Sequence, residues 1–363
     1  MGDSFNQKTP KRVTIADVAD YLGVTKGTVS RALNGYPDIS KSTRRKVEQA
    51  TRDLGYRPLA QAQAIRTGRV RAIGLVLQTY DHDGQRPFLA DFLQGISQVA
   101  SEENWTLTLA TAPDRAALIP TLDQLITERK ADGFILPRTM ADDPRVSYLR
   151  GRGVPFILYG RVEDREGCGW FDIASETAIG EAVSRLTKLG HRRIGFVHGD
   201  DRYMFVRLRK AGYLAGLRDA GLPLDDRLIV ANASSEAQGR AATDRLLDLP
   251  DPPTAIIFAT DLAAFGAYAA AASRGVVIGR DLSIVGYDGQ PEGRRLTPPL
   301  ASFAVDNKLV GQELAGLLIR HCRGDAPESL RRTACAAWMP GASVGPAPSF
   351  NQNTHFKDWE VKT

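Results

Sequence analysis

Val13-Thr-Ile-Ala-Asp-Val-Ala-Asp-Tyr-Leu-Gly-Val-Thr-Lys-Gly-Thr-Val-Ser-Arg-Ala-Leu-Asn34 reads as two short helices joined through a glycine. Thr14 carries the side-chain oxygen an N-cap needs, and Ile15, Val18, Ala19 and Leu22 recur on one face at helical spacing. Gly23 suits the left-handed backbone of a tight turn. Thr25 offers a second cap, for a helix over 26–33 whose apolar side is Val29, Ala32 and Leu33. Asn34-Gly-Tyr-Pro37 reads as a loop. Ser40 then caps a third helix predicted over 41–54, with Val47, Ala50 and Leu54 turned inward.

This pattern is a helix-turn-helix, the motif whose second helix enters the major groove of DNA. The residues nearest the base edges are then Lys26 and Gly27, with Arg31 one turn further along. Lysine and arginine donate to guanine O6 and N7, and a glycine leaves room for a thymine methyl. Thr14, Thr25, Ser30, Asn34, Ser40 and Thr43 carry small hydrogen-bonding groups suited to phosphates, contacts that position a protein without reading sequence. Helix capping alone would also account for these six, and the two roles are compatible.

Charge supports a nucleic-acid partner. Residues 1–72 hold 14 Lys/Arg against 6 Asp/Glu, whereas the other 291 residues hold 33 against 36. A basic head on a slightly acidic body is the electrostatic footprint of a DNA-binding module. The N-terminal residues are polar with no apolar segment behind them, so no signal peptide is expected. No apolar run approaches membrane-spanning length, and a cytoplasmic protein is expected. Cys168, Cys322 and Cys335 show neither metal-ligand nor disulfide spacing and read as reduced thiols.

Residues 58–69 form a linker. Pro58 can open a helix, and the alanines and glutamines after it favour one. About ten residues are too few for a stable isolated helix, so a partner is needed to order it.

From residue 71 short apolar runs alternate with helical stretches. Strands are expected at 71–77, 107–112, 133–137, 155–160, 193–198, 227–231, 255–259, 283–287 and 301–305. Helices are expected at 88–103, 115–129, 175–189, 205–220, 236–248 and 261–274. Such alternation implies parallel sheets with ligands bound beyond the carboxyl ends of the strands. No phosphate-binding glycine loop, nucleophile elbow or metal cluster is present, so neither catalysis nor a cofactor is expected. Residues 341–363 contain no leucine heptads and read as a flexible tail.

The run 13–34, together with Ser40-Lys-Ser-Thr-Arg-Arg-Lys-Val47, Leu54-Gly-Tyr-Arg-Pro58 and Arg66-Thr-Gly-Arg69, closely resembles the lactose/galactose repressor family. Ile73-Gly-Leu-Val76, Leu189-Gly-His-Arg-Arg-Ile194 and Ser283-Ile-Val-Gly-Tyr-Asp288 extend the resemblance through the body. It implies a helix-turn-helix head at 13–57, a hinge at 58–69, and a periplasmic-binding-protein-like effector domain at 70–340. The N-lobe would be 71–171 plus 304–332, and the C-lobe 172–303 plus 333–340. It further implies a homodimer on a palindromic DNA operator, with Ile65 of each hinge wedged into the minor groove.

The same resemblance carries Arg209, Asp288 and Asp261 into an effector cleft, with Thr260 in place of the usual asparagine. Gly160-Arg161 replaces an aspartate of the lactose repressor, which makes Arg161 a further cleft candidate. Phe88, Tyr159 and Trp170 are candidates for stacking on the ligand. The implied function is a sugar-controlled repressor of carbohydrate genes, with a hinge similar to that of α-glucoside regulators. A purine corepressor is the alternative within the family. A transport sugar-binding protein is the alternative outside it, opposed by the basic head.

Overall fold

The computed structural model describes residues 13–56, 68–78 and 82–348, and for 82–88 the backbone alone. The chain divides into two compact units, 1–70 and 71–363. The hinge at 58–69 lies outside the described residues except for its last two, and Ile65 lies outside them altogether.

The first unit holds helices α1 (Ile15–Leu22), α2 (Lys26–Leu33) and α3 (Lys41–Asp53). Thr14 and Asp17 close a capping box: the Thr14 N–H and hydroxyl both donate to Asp17 Oδ2 at 2.7 Å. Gly23 ends α1 at φ 62°, a conformation that penalises any side chain. Val18, Ala19, Val29, Ala32, Val47 and Ala50 form the core. Burial of this one face from each helix supplies the stability that eight-residue helices lack alone.

The second unit is two lobes. The larger sheet has six parallel strands: β1 (Ala72–Gln78), β2 (Thr106–Ala112), β3 (Gly133–Leu136), β4 (Phe156–Tyr159), β5 (Gly169–Ile173) and β11 (Arg331–Ala334), in the order β11-β5-β4-β3-β1-β2. Helices α4 (His82–Glu102) and α11 (Asn307–Arg323) cover one face through Phe92, Ile96, Leu314 and Leu318. Helices α5 (Leu118–Thr127) and α6 (Pro144–Gly151) cover the other through Leu118, Leu122 and Leu149.

The smaller sheet has four parallel strands, β6 (Ile194–Val197), β7 (Ile229–Val230), β8 (Ala255–Phe258) and β9 (Ser283–Val285), in the order β7-β6-β8-β9. It lies between α7 (Ser175–Lys188) with α8 (Met204–Asp219) and α9 (Glu236–Leu247) with α10 (Asp261–Ser273). Glycines bring helix pairs into backbone contact: a Cβ on Gly95 would stand 2.1 Å from the Lys308 carbonyl oxygen, and one on Gly239 1.9 Å from that of Ala263. The antiparallel pair β10 (Ser302–Ala304) and β12 (Ala337–Met339) sits where the chain passes between lobes.

Two expectations are corrected here. The larger sheet includes β5 and β11, which the apolar runs did not reveal, and β11 keeps 333 and 334 with the N-lobe. The reason is that β11 is an edge strand of sequence Arg-Arg-Thr-Ala, with no apolar run to betray it. The flexible tail does not begin at 341. Ile284 N–H donates to the Ser343 carbonyl at 2.8 Å, Ala347 N–H donates to the Leu189 carbonyl at 2.8 Å, and the buried His191 ring meets the Gly345 carbonyl at 3.0 Å. The segment thus occupies the open edge of β9, a partner its Gly/Pro-rich composition could not announce. Residues 349–363 lie outside the described residues.

Candidate nucleic-acid interface and effector cleft

In the first unit, Thr14, Thr25, Ser40 and Thr43 sit at helix N-termini, whereas Ser30 and Asn34 lie in the last turn and at the C-cap of α2. Thr25 Oγ1 accepts from Thr28 N–H at 3.1 Å, and Ser40 Oγ accepts from Thr43 N–H at 3.1 Å and lies 2.9 Å from Thr43 Oγ1. Asn34 Nδ2 donates to Ser30 Oγ at 3.2 Å. At the N-terminal caps Thr14, Thr25 and Ser40 the helix presents N–H groups and its positive dipole end, the arrangement that attracts a phosphate. Lys26, Gly27 and Arg31 are exposed on α2. Arg31 pairs with Asp38 at 2.6 Å, and its guanidinium lies 5.2 Å from the Tyr36 ring. Both partners of that ion pair are about half exposed, so little is lost when Arg31 turns to a base. Tyr21, at 62% exposure on α1, is a large exposed aromatic side chain that the sequence reading passed over.

In the second unit, a cavity of about 250 Å³ opens between the lobes, beyond the carboxyl ends of both sheets. Arg209, on α8, is 8% exposed and lines it. Its guanidinium stands 3.6 Å from the Tyr287 ring centroid and 4.9 Å from that of Phe205. One Nη donates to the Ala259 carbonyl, and the other lies 3.7 Å from Asp288 Oδ1. Asp288 takes a left-handed φ of 123° just past β9 and faces the cavity. Burial pushes its carboxyl upward, against the pull of Arg209.

Asp261 differs from expectation. It is fully buried and does not line the cavity. Its carboxylate accepts from Ser302 Oγ at 2.6 Å and from Gln290 N–H at 2.7 Å, so it shapes the loop that carries Asp288. Arg161 also stands behind the cavity wall, with Gly160 before it. It pairs with Asp172 at 2.5 Å and Glu176 at 2.7 Å. Asp172, next to last in β5, is the carboxylate that lines the cavity there, and burial pushes it up to about 6.

Tyr159 lines the cavity and stacks on Phe92, with centroids 5.8 Å apart. Trp170 lies two residues back along β5, its ring 4.4 Å from the Arg331 guanidinium, and does not reach the cavity. Phe88 falls within α4, and its side chain lies outside the described residues. The sequence reading missed Asp172, Arg138, Phe205, Tyr287 and Asn307. Most of these follow strand ends, so a strand map with correct C-terminal boundaries would have found them.

A basic helix-turn-helix head and a two-lobed α/β body with a charged cleft define a DNA-binding transcription regulator controlled by a small molecule. Residues 14–58 match the model of bacterial regulatory proteins of the lacI family, and residues 183–344 match a periplasmic binding protein-like domain. The chain is 34% identical to the HTH-type transcriptional regulator RafR of Escherichia coli over 93% of its own length and 100% of that protein's. It is 32% identical to AglR of Rhizobium meliloti (strain 1021), over 93% of this chain and 95% of that one.

Among solved structures it is similar to a transcriptional regulator CelR–cellobiose complex, at 30% identity and TM-score 0.70, covering 92% of this chain and 100% of that one. It is also similar to the lac repressor dimer bound to operator and the anti-inducer ONPF, at 25% identity and TM-score 0.75, covering 92% and 99%. The chain belongs to the LacI family of bacterial transcription regulators. Among the described residues, no helix is long and apolar enough to cross a membrane, and no group of three or more His, Cys, Asp or Glu could hold a metal.

Proposed function

We propose that this regulator is a cytoplasmic homodimeric repressor of carbohydrate-use genes, released from a palindromic operator by a sugar held between its lobes. The cleft carries the reading: Arg209 with Asp288, and Asp172 facing them, set among the rings of Tyr159, Phe205 and Tyr287. Planar guanidinium and carboxylate groups bind vicinal hydroxyls in pairs, and aromatic faces take the apolar face of a sugar ring. A cavity of about 250 Å³ lies near the lower end of small-molecule sites, which run from about 300 Å³, and suits a small sugar. Differential affinity for two lobe arrangements would then shift the DNA-competent population.

The first experiment is a thermal-shift panel of maltose, sucrose, raffinose, cellobiose and purine bases, with operator binding repeated for each hit. Stabilisation by an α-glucoside together with loss of operator binding is the expected result. Stabilisation by a purine with tighter operator binding would replace the sugar inducer by a corepressor.

The cleft reading also fixes a pH dependence. Asp172 accepts a sugar hydroxyl in its ionised form and titrates at about 6. Effector affinity should therefore fall between pH 7.5 and pH 5.5, about fourfold from Asp172 alone, with Asp288, also pushed upward by burial, adding to the loss. The folding contribution of the same group runs the other way. Its pKa is raised above the unfolded value, so its share of stability is lost as pH rises through 6. Calorimetric titration at the two pH values checks this, and in Asp172→Asn the pH dependence should become shallower, leaving the share that Asp288 contributes. An unchanged pH profile in that variant would remove Asp172 from the site.

A further inference from the structure

The covalent chain passes between lobes three times, near 174, 305 and 335. A fourth connection is non-covalent. The Ala141 N–H donates to the Arg202 carbonyl, and the Met204 N–H donates to the Thr139 carbonyl, both at 2.9 Å. Met140 and Tyr203 thus face each other as an antiparallel bridge between the lobes. Arg138 lays its guanidinium 4.7 Å from the Tyr203 ring, and Glu163 of the N-lobe pairs with Arg207 of the C-lobe. Arg138 and Thr139 line the cavity as well. One short loop therefore serves both the effector site and the inter-lobe contact.

That loop is held from behind. Arg145, 5% exposed, donates through Nη2 to the carbonyls of Pro137 at 3.0 Å and Arg138 at 3.3 Å. It also grips Asp143 from Nε at 2.9 Å and Nη2 at 2.6 Å. Asp143, 3% exposed, accepts from the Met140 N–H at 3.1 Å. Neither residue lines the cavity. A buried ion pair adds little net stability over apolar side chains of similar size. This one instead satisfies the carbonyls and N–H of a loop whose Arg138 holds a left-handed φ of 51°, a conformation that persists only when its surroundings impose it.

We propose that Asp143 and Arg145 are positioning residues for the effector response: they hold loop 137–141 in the one shape that both lines the cavity and straps the N-lobe to residues 202–204 of the C-lobe. The strap itself follows from geometry, and its link to effector rests on the cavity being the effector site. Closure around ligand then depends on a pair that no ligand touches.

Two variants test the proposal on the full-length protein by amide hydrogen exchange. In Arg145→Lys the two-nitrogen grip of Nε and Nη2 on the Asp143 carboxylate is lost, and with it the placement of the group that meets the Pro137 and Arg138 carbonyls. The Met204 amide, in the opposite lobe, should then exchange at least tenfold faster while the amides of β6 and β8 keep their protection. Met204→Pro removes one strap hydrogen bond directly. Met204 is the first residue of α8 and Tyr203 before it is extended, so the helix accepts proline there. The Ala141 amide should lose protection by a similar factor.

Met140 and Tyr203 form a non-hydrogen-bonded pair, with Cα atoms expected about 4.5 Å apart, within the span of a disulfide. Oxidised Met140→Cys/Tyr203→Cys, made in a Cys335→Ser background because Cys335 is the exposed cysteine, should restore strap protection to Arg145→Lys. Maltose, cellobiose and raffinose are titrated in parallel. Any that wild type binds should bind both strap variants about tenfold more weakly. A Met204 amide as protected in Arg145→Lys as in wild type overturns the positioning role. If Arg145→Lys does not fold, unchanged Ala141 exchange and sugar affinity in Met204→Pro overturn the strap. If wild type binds none of the three sugars, the sugar reading fails while the exchange results still decide the strap.

Discussion

Arg209→Ala should abolish the effector response and leave operator binding intact. Arg209 touches both aromatic walls and approaches the Asp288 carboxylate of the cavity. Truncation leaves a gap between Phe205 and Tyr287 and leaves Asp288, already pushed upward by burial, with only the weaker pull of Arg138. Losing a hydrogen bond from a charged side chain to the effector costs about 1.5–3 kcal/mol, a loss of roughly tenfold to somewhat over a hundredfold in affinity. The DNA-binding head is a separate compact unit, so its contacts with DNA should survive. Calorimetry with the inducing sugar, beside a mobility-shift titration of operator DNA, measures both halves. Retained induction would take Arg209 out of the effector site, and lost operator binding would point to a folding defect instead.

Arg31→Ala should lower specific operator affinity by about 1–3 kcal/mol and leave weak, salt-sensitive binding to any DNA. Arg31 is exposed on α2, and the ion pair it gives up, with Asp38, is too solvated to matter for stability. The buried side of the helix, Val29 and Ala32, is untouched. The loss should therefore appear in competition against nonspecific DNA and not in the melting temperature. Equal affinity of wild type and variant for the operator would sink the assignment of α2 as the reading helix.

These two residues differ in how they could be known. Arg31 is legible from sequence because its helix is short, its register is pinned by Thr25 and Val29, and its neighbours in space are its neighbours in the chain. The capping threonines and serines of the head are legible for the same reason. Local capping chemistry and the 3.6-residue period decide them before any tertiary contact forms. Arg209 is different. An arginine in the second turn of a helix is, on periodicity alone, an exposed side chain, and only its match to the repressor family brought it forward.

The sequence by itself determined the helix-turn-helix, the basic head, the alternation that builds two parallel sheets, and the family. All of these depend on residues close together in the chain or on motifs that survive as strings. The tertiary structure alone decided which carboxylate faces the cleft. Asp261 and Asp172 look equivalent in sequence, yet Asp261 is spent on Ser302 and Gln290, while Asp172 lines the cavity with Arg161 behind it. Tertiary structure also decided that residues 341–348 close the edge of β9 and that loop 137–141 straps the lobes. In each case the deciding partner lies tens to hundreds of residues away. A buried polar group takes whatever partner the fold brings within hydrogen-bonding distance, and periodicity in the sequence carries no record of it.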